Sequence, residues 1–363
     1  MIAINYISNL SVQQGRGGWD GMNKNVYQQL KHFASVNLID NVNPKVSFST
    51  RLVSKIKRIL GLPAPFPQFS LHRLNAIADE VEKRINLNYN FNFFHGSTPW
   101  LKVKNDVPYA CYLDATFSTY LAIYHSNVRF EVASLIELER KFLSNAKAVF
   151  FSSQWSLEQT RKDYNLPGHN FFVAGLGGNL PYPTSLPIVE KKRFVFSGLD
   201  FKGKGGELVA EAFKIFSTQR AGFIMTFIGE TPPEHVLKMS GVEYTGYLNK
   251  QNDNDLKRYQ KYLSESIALV LPTSRDLTPL VIIEAGYYGC PSIATHAYGI
   301  PEIISEHGCL CEAPARVEDV VKAMMKLTDR MDLDQTLIQD FYQKNFTWDV
   351  VGARIKLVID KLD

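Results

Sequence analysis

Short apolar runs alternate with amphipathic stretches almost from end to end of the chain. AINYI, VNLID, NFNFF, VPYACYL, KAVFFS and HNFFVA lie in the first half. RFVFSG, GFIMTFIG, VEYTGY, IALVLPT and PSIATH lie in the second. Most of these runs are rich in β-branched and aromatic residues, which predicts strands. Between them apolar positions recur at helical spacing, as in GGELVAEAFKIFS and VEDVVKAMMKLTD. Strand, helix, strand in repetition predicts an α/β protein whose parallel sheets are covered by helices on both faces. GGNLPYPTSLPIVEKK interrupts the pattern with Pro181, Pro183 and Pro187, and predicts a boundary between a domain of residues 1–182 and one of residues 183–345. The tail, residues 346–363, reads as a helix that places Trp348, Val351, Ile355, Val358 and Leu362 on one face. It is expected to pack back on the first domain.

Composition narrows the classes. A length of 363 residues suits about two domains, and 45% apolar with 21% charged residues is a globular balance. The net charge of +4 makes no case for nucleic acid. Cys111, Cys290, Cys309 and Cys311 have neither zinc-finger spacing nor the look of a disulfide scaffold, so a reducing cytoplasm is expected. The opening MIAINYISNLS reads as a strand and loop rather than a secretion leader. No apolar run approaches the roughly 20 residues of a membrane helix.

The densest chemistry lies in VLPTSRDLTPLVIIEAGYYGCPSIATHAYGIPEI, from Val270 to Ile303. A buried strand ends near Pro272, and Thr278-Pro279 reads as a helix N-cap with proline at the first helical position. That leaves the amides of Leu280 and Val281 free at the positive end of the helix dipole, which suits a phosphate. Glu284, one turn further on, offers a carboxylate to the two hydroxyls of a ribose.

This stretch resembles the retaining glycosyltransferases of family 4, which have the GT-B fold of two Rossmann-like domains facing across a cleft. Their signature has two glutamates separated by seven residues, then alanine, a Gly-Thr-Pro-like turn and a Gly-Ile-Pro-Glu run. Here stand Asp276, Glu284-Ala285, Gly289-Cys290-Pro291 and Gly299-Ile300-Pro301-Glu302. Asp276 departs from the usual glutamate, which in the family reaches the donor sugar. Upstream, FVFSGLDFKGKGGELVAEAFK resembles the family's first donor-domain loop, with Lys204 at the position of the lysine that meets the diphosphate. The accompanying arginine is missing, since Leu199 and Gly203 occupy its places, and Lys202 is the candidate substitute. No G-x-G-x-x-G follows the strand, which disfavours a dehydrogenase. VEYTGYLNKQNDNDL resembles the segment whose backbone, around Leu248 and Asn249, holds the nucleobase before a helix capped near Asp253.

In the first half, QQGRGGWDGMN resembles the family's glycine loop, so Gly17 and Gly18 are assigned to the donor phosphates. A plain turn before a helix is the other reading of that loop. His95, at the end of NFNFF, matches a histidine whose side chain or carbonyl faces the reacting sugar. Asp114 ends the next strand, either near the acceptor or as a helix cap. The resemblance implies metal-independent transfer of a hexose, with UDP-glucose the first choice, to a saccharide or lipid-linked acceptor, without a bound cofactor. An epimerase or phosphorylase on the same fold, or a non-catalytic nucleotide-sugar-binding protein, are the alternatives. STRLVSKIKRILGLPAPF, residues 49–66, belongs to none of these motifs. It is a basic amphipathic helix, suited either to an anionic membrane surface on the cytoplasmic side or to packing on its own domain.

Overall fold

A computed structural model describes residues 2–13, 18–186, 191–330 and 334–362. The chain forms two compact units, one of residues 1–176 with 351–363 and one of residues 177–350. Residues 178–182, read from sequence as the end of the first domain, bond instead within the second unit. Gly178 N–H donates to the Tyr287 hydroxyl, and the Tyr288 hydroxyl donates to the Pro181 carbonyl.

The first unit carries strands β1 (Ala3–Ile7), β2 (Ser35–Ile39), β3 (Phe91–His95), β4 (Tyr109–Leu113), β5 (Ala148–Phe151) and β6 (Phe171–Val173). Its helices are α1 (Gly18–Lys31), α2 (Phe48–Ile59), α3 (Leu71–Arg84), α4 (Phe117–Tyr124), α5 (Ala133–Asn145) and α6 (Gln154–Tyr164). All strand pairs are parallel, in the order β2-β1-β3-β4-β5-β6. Strands β3, β4 and β5 are buried along their whole length, so they read as nearly continuous apolar runs rather than alternating ones, with Asn92 and His95 of β3 the polar exceptions.

The second unit carries β7 (Arg193–Gly198), β8 (Ile224–Gly229), β9 (Val242–Tyr244), β10 (Ser266–Leu271), β11 (Ser292–His296) and β12 (Cys309–Glu312). Helices α7 (Gly206–Gln219), α8 (Glu234–Leu237), α9 (Asp253–Ser264), α10 (Leu280–Tyr287), α11 (Ile300–Ile303), α12 (Val317–Thr328) and α13 (Gln335–Asn345) accompany them. The parallel order is β12-β11-β10-β7-β8-β9. Helix α14 (Trp348–Ile359) ends the chain, and from Val351 onward it belongs to the first unit. Its buried stripe there is Val351, Ile355 and Ile359, with Val358 only half-buried. The Arg354 guanidinium donates to the Ala174 carbonyl at 3.1 Å.

Each sheet has one point at which the strand order reverses. In the first unit it lies between β1 and β3, and in the second between β7 and β10. Connections leave in opposite directions on either side of such a point. The loops at the carboxyl ends of those strands therefore splay apart and leave a crevice.

Candidate donor and acceptor sites

Two loops of the second unit flank the crevice between β7 and β10. The first, residues 199–205, is wound tightly. Lys204 N–H donates to the Asp200 carbonyl at 3.0 Å, and Gly203 N–H to the Asp200 carboxylate at 2.8 Å. Gly205 has φ +83°, and a Cβ there would strike the Pro272 carbonyl, so this position requires glycine. The winding turns Lys204 back across Gly198 toward the second loop, residues 272–279. There its ammonium meets the Asp276 carboxylate at 2.6 Å. The two residues assigned separately to phosphate and sugar thus form an ion pair. One ammonium N–H serves Asp276, and two donors remain for a phosphate. Lys202 is exposed and forms no ion pair among the described residues.

Helix α10 begins one residue later than the sequence suggests. Pro279 is its cap and Leu280 its first residue, and no side chain caps it. Thr278 is buried beside it. The reason is steric: proline's fixed φ is compatible with the cap, and its carbonyl accepts from Ile282 N–H at 3.1 Å.

Glu284 is 1% exposed, and each of its oxygens accepts one hydrogen bond and keeps a second acceptor position. One accepts from Asn179 N–H at 3.2 Å and the other from the Lys250 ammonium at 2.5 Å. Lys250 also lies 4.4 Å from the centre of the Tyr259 ring. Burial pushes the Lys250 ammonium down, but the Glu284 carboxylate and Tyr259 outweigh it, so the net shift is upward. Lys250 was not singled out from sequence. It is one lysine in a polar loop, and its partner lies 34 residues away. Close by, Leu248 is buried, but the Asn249 N–H is already donated to Asp255 at 3.0 Å and its carbonyl accepts from Asn252. The cap of α9 is Asn252 rather than Asp253.

In the first unit the crevice between β1 and β3 is bordered by His95. Its imidazole is fully buried, and neither ring nitrogen has a hydrogen-bond partner among the described residues. Trp19 stacks on it at 3.9 Å with 26° between planes, and Tyr112 lies near-parallel at 6.3 Å. Burial pushes the imidazole down to about 3, against a smaller upward pull from the Trp19 backbone, so the ring is neutral at any working pH. The His95 carbonyl accepts from Trp100 Nε1 at 3.0 Å. Gly18 opens α1 with φ +54°, whereas Gly17 lies outside the described residues. Neither Trp19, set among glycines, nor Glu139, one acid in an ordinary amphipathic helix, carries a motif in the sequence. The buried Glu139 carboxylate accepts from Ser97 at 2.5 Å, Thr98 at 2.8 Å, Phe117 N–H at 3.0 Å and the Tyr164 hydroxyl. It thereby ties down the turn that follows His95.

Asp114 does not cap α4, whose cap is Thr116. Burial pushes its carboxyl up to about 6, and the backbone amides at Asp114 and Ala115 oppose this in part. Between the unfolded value near 3.9 and about 6, the folded state holds a proton that the unfolded state releases. Stability contributed through Asp114 therefore falls as pH rises across that window and then levels off. Asp114→Asn removes this slope and gains on the wild type between about pH 4.5 and pH 7 in urea denaturation. A constant difference between the two proteins would contradict the assignment.

Comparison with known proteins adds to this geometry. Residues 191–330 match the model of the family described as glycosyl transferases group 1. A 119-residue stretch is 28% identical to an uncharacterized 41.2 kDa protein in the cps region of Klebsiella pneumoniae. That match covers 32% of this chain and 31% of the relative's length. Among solved structures, sucrose-phosphate synthase from Thermosynechococcus elongatus superposes with a TM-score of 0.69 at 16% identity, covering 100% of this chain and 99% of that one. The lipopolysaccharide outer core galactosyltransferase WaaB gives 0.68 at 14%, covering 99% of each chain. HepE of Anabaena, in complex with UDP and glucose, gives 0.66 at 15%, covering 99% and 100%. Residues 191–330 thus match the group 1 glycosyltransferase family, and the whole chain has the GT-B fold of its structural neighbours.

Proposed function

We propose that this chain transfers a hexose from a nucleotide diphosphate sugar to a saccharide or lipid-linked acceptor. UDP-glucose is the first donor to test, and polysaccharide or glycolipid assembly in the cytoplasm is the setting. The observation that carries this reading is the pairing of Lys204 with Asp276 at the β7/β10 crevice, directly before the free start of α10. The family match over residues 191–330 covers both loops. HepE, crystallised with UDP and glucose, and the relative encoded in a cps region favour the same donor class and setting.

In this account the diphosphate lies against Lys204 and the Leu280 and Val281 amides, and Glu284 accepts hydrogen bonds from the ribose. The bond between C1 of the sugar and the phosphate oxygen breaks as the acceptor oxygen bonds C1 on the same face. The acceptor's proton passes to the departing phosphate, so configuration is retained. Negative charge grows on the diphosphate during this step, and Lys204 with the helix start is already in place to receive it. His95, neutral and desolvated, offers one donor and one acceptor to the sugar hydroxyls. The metal-free reading rests on this cationic and amide cradle in place of a divalent ion.

The test is nucleotide release from UDP- and GDP-sugars with a panel of saccharide and lipid-linked acceptors. Acceptor-dependent release supports the proposal. A changed sugar still attached to its nucleotide, with no release, would indicate an epimerase, and release only with free phosphate a phosphorylase. No turnover of a donor that binds would leave a nucleotide-sugar-binding protein.

A further inference from the structure

Helix α2 presents its apolar side to solvent. At about 100° per residue, Phe48, Leu52, Val53, Ile56, Ile59 and Leu60 fall within an arc of about 140°. Ser54, the buried residue of the helix, lies on the opposite side and donates to the Pro65 carbonyl at 3.0 Å. Phe48 is 79% exposed, Ile59 74% and Leu60 65%. The helix packs on its unit through Ser54, and the apolar stripe, whose ordinary fate is to be covered, faces away from that contact. Monomeric proteins seldom leave so many large apolar side chains together in water.

The charges beside the stripe define its partner. Arg51, Lys55 and Arg58 line one flank, between the apolar arc and the body of the unit, and form no ion pair among the described residues. Lys57, on the other flank, is held by Glu131 at 2.6 Å. A groove of about 850 Å³ opens beside the helix, lined by Lys55, Arg58 and Arg129 together with Ile59 and Leu62. Apolar side chains in the middle, with cations that can extend outward around them, match the depth profile of an anionic bilayer. The stripe enters the acyl boundary, and the ammonium and guanidinium groups stay at the phosphates. The groove has room for a phosphate-bearing headgroup, and Lys55, Arg58 and Arg129 supply the cations to hold it.

We propose that α2 and the adjoining groove dock this chain on an anionic phospholipid surface. The observations stand apart from the donor site and do not depend on it. Co-sedimentation of the full chain with vesicles of phosphatidylcholine alone, or phosphatidylcholine with phosphatidylglycerol, tests the proposal. Binding is expected on the anionic vesicles and should weaken as salt is raised. Lys55→Ala/Arg58→Ala should weaken it about 30-fold, from the attraction each basic residue feels near such a surface. Ile56→Ser/Ile59→Ser should weaken it at least about tenfold, with the far-ultraviolet spectrum and melting of the folded protein unchanged because both residues are exposed. The proposal fails if wild type binds neutral and anionic vesicles equally, or neither. It also fails if wild type is a dimer in sedimentation velocity that Ile56→Ser/Ile59→Ser dissociates, since the stripe would then be a self-contact.

Discussion

Lys204→Ala is expected to lower turnover by about 100-fold or more, on the order of 3 kcal/mol, while donor affinity changes far less. The asymmetry follows from where charge develops. In the bound donor the diphosphate charge is spread, and the helix start and loop amides share in holding it. As the sugar departs, charge concentrates on the leaving oxygen, so a cation placed beside it acts mainly on the transition state. The ion pair sharpens this expectation. With Lys204 gone, Asp276 stands unneutralised next to the phosphates and adds repulsion to the loss of attraction. Lys202→Ala is the internal control: exposed and outside that pair, it should change turnover only a few-fold. Steady-state kinetics with separate measurement of donor affinity decides the matter. Wild-type turnover in Lys204→Ala would remove the loop from the phosphate site, and a large effect at Lys202 alone would shift the site by two residues.

Glu284→Gln has the second largest expected effect, and it acts on both donor affinity and stability. Donor affinity should fall about tenfold, because a charged acceptor for the ribose hydroxyls becomes a neutral one. Gln is as good a helix former as Glu, so helix propensity alone would leave the fold intact, but the buried ion pair makes the substitution costly. The glutamine still accepts from Asn179 N–H but leaves Lys250 without its counter-charge. Removing one partner of a fully buried pair costs about 3–5 kcal/mol. Lys250 keeps some contact with solvent, so about 1–3 kcal/mol is expected here. A double-mutant cycle with Lys250→Met isolates the pair, with a coupling of about 1–2 kcal/mol. Strictly additive losses would mean that the two side chains do not support each other.

Much of this architecture was legible because its central strands are buried on both faces and therefore announce themselves as mostly apolar runs. Each of the eleven runs marked in sequence coincides with a strand to within a few residues at each end, from Ala3–Ile7 to Ser292–His296. Strand β12, Cys309–Glu312, escaped because it has four residues, alternates buried with exposed, and carries a glutamate in place of an apolar end. The start of α10 was off by one residue because proline suits both the cap and the first turn. Lys204, Asp276 and Glu284 could be named from motif spacing, but their partners could not. The Lys204–Asp276 contact spans 72 residues of sequence and the Lys250–Glu284 contact 34, and both exist only because parallel strands bring distant loops to one edge. The exposure of the α2 stripe was equally invisible, since helical periodicity shows that a face is apolar and not what covers it.

The central claim, that the β7/β10 crevice holds a nucleotide diphosphate, is tested most directly by thermal protection with UDP and GDP in the presence of a chelator. A ligand that binds only the folded state stabilises it by about 2.7 kcal/mol at a hundredfold excess over its Kd. UDP, or failing that GDP, should raise the melting temperature in a concentration-dependent way. Glu284→Gln should need about tenfold more nucleotide for the same shift. An unmoved melting temperature with both nucleotides at millimolar concentration would contradict the claim.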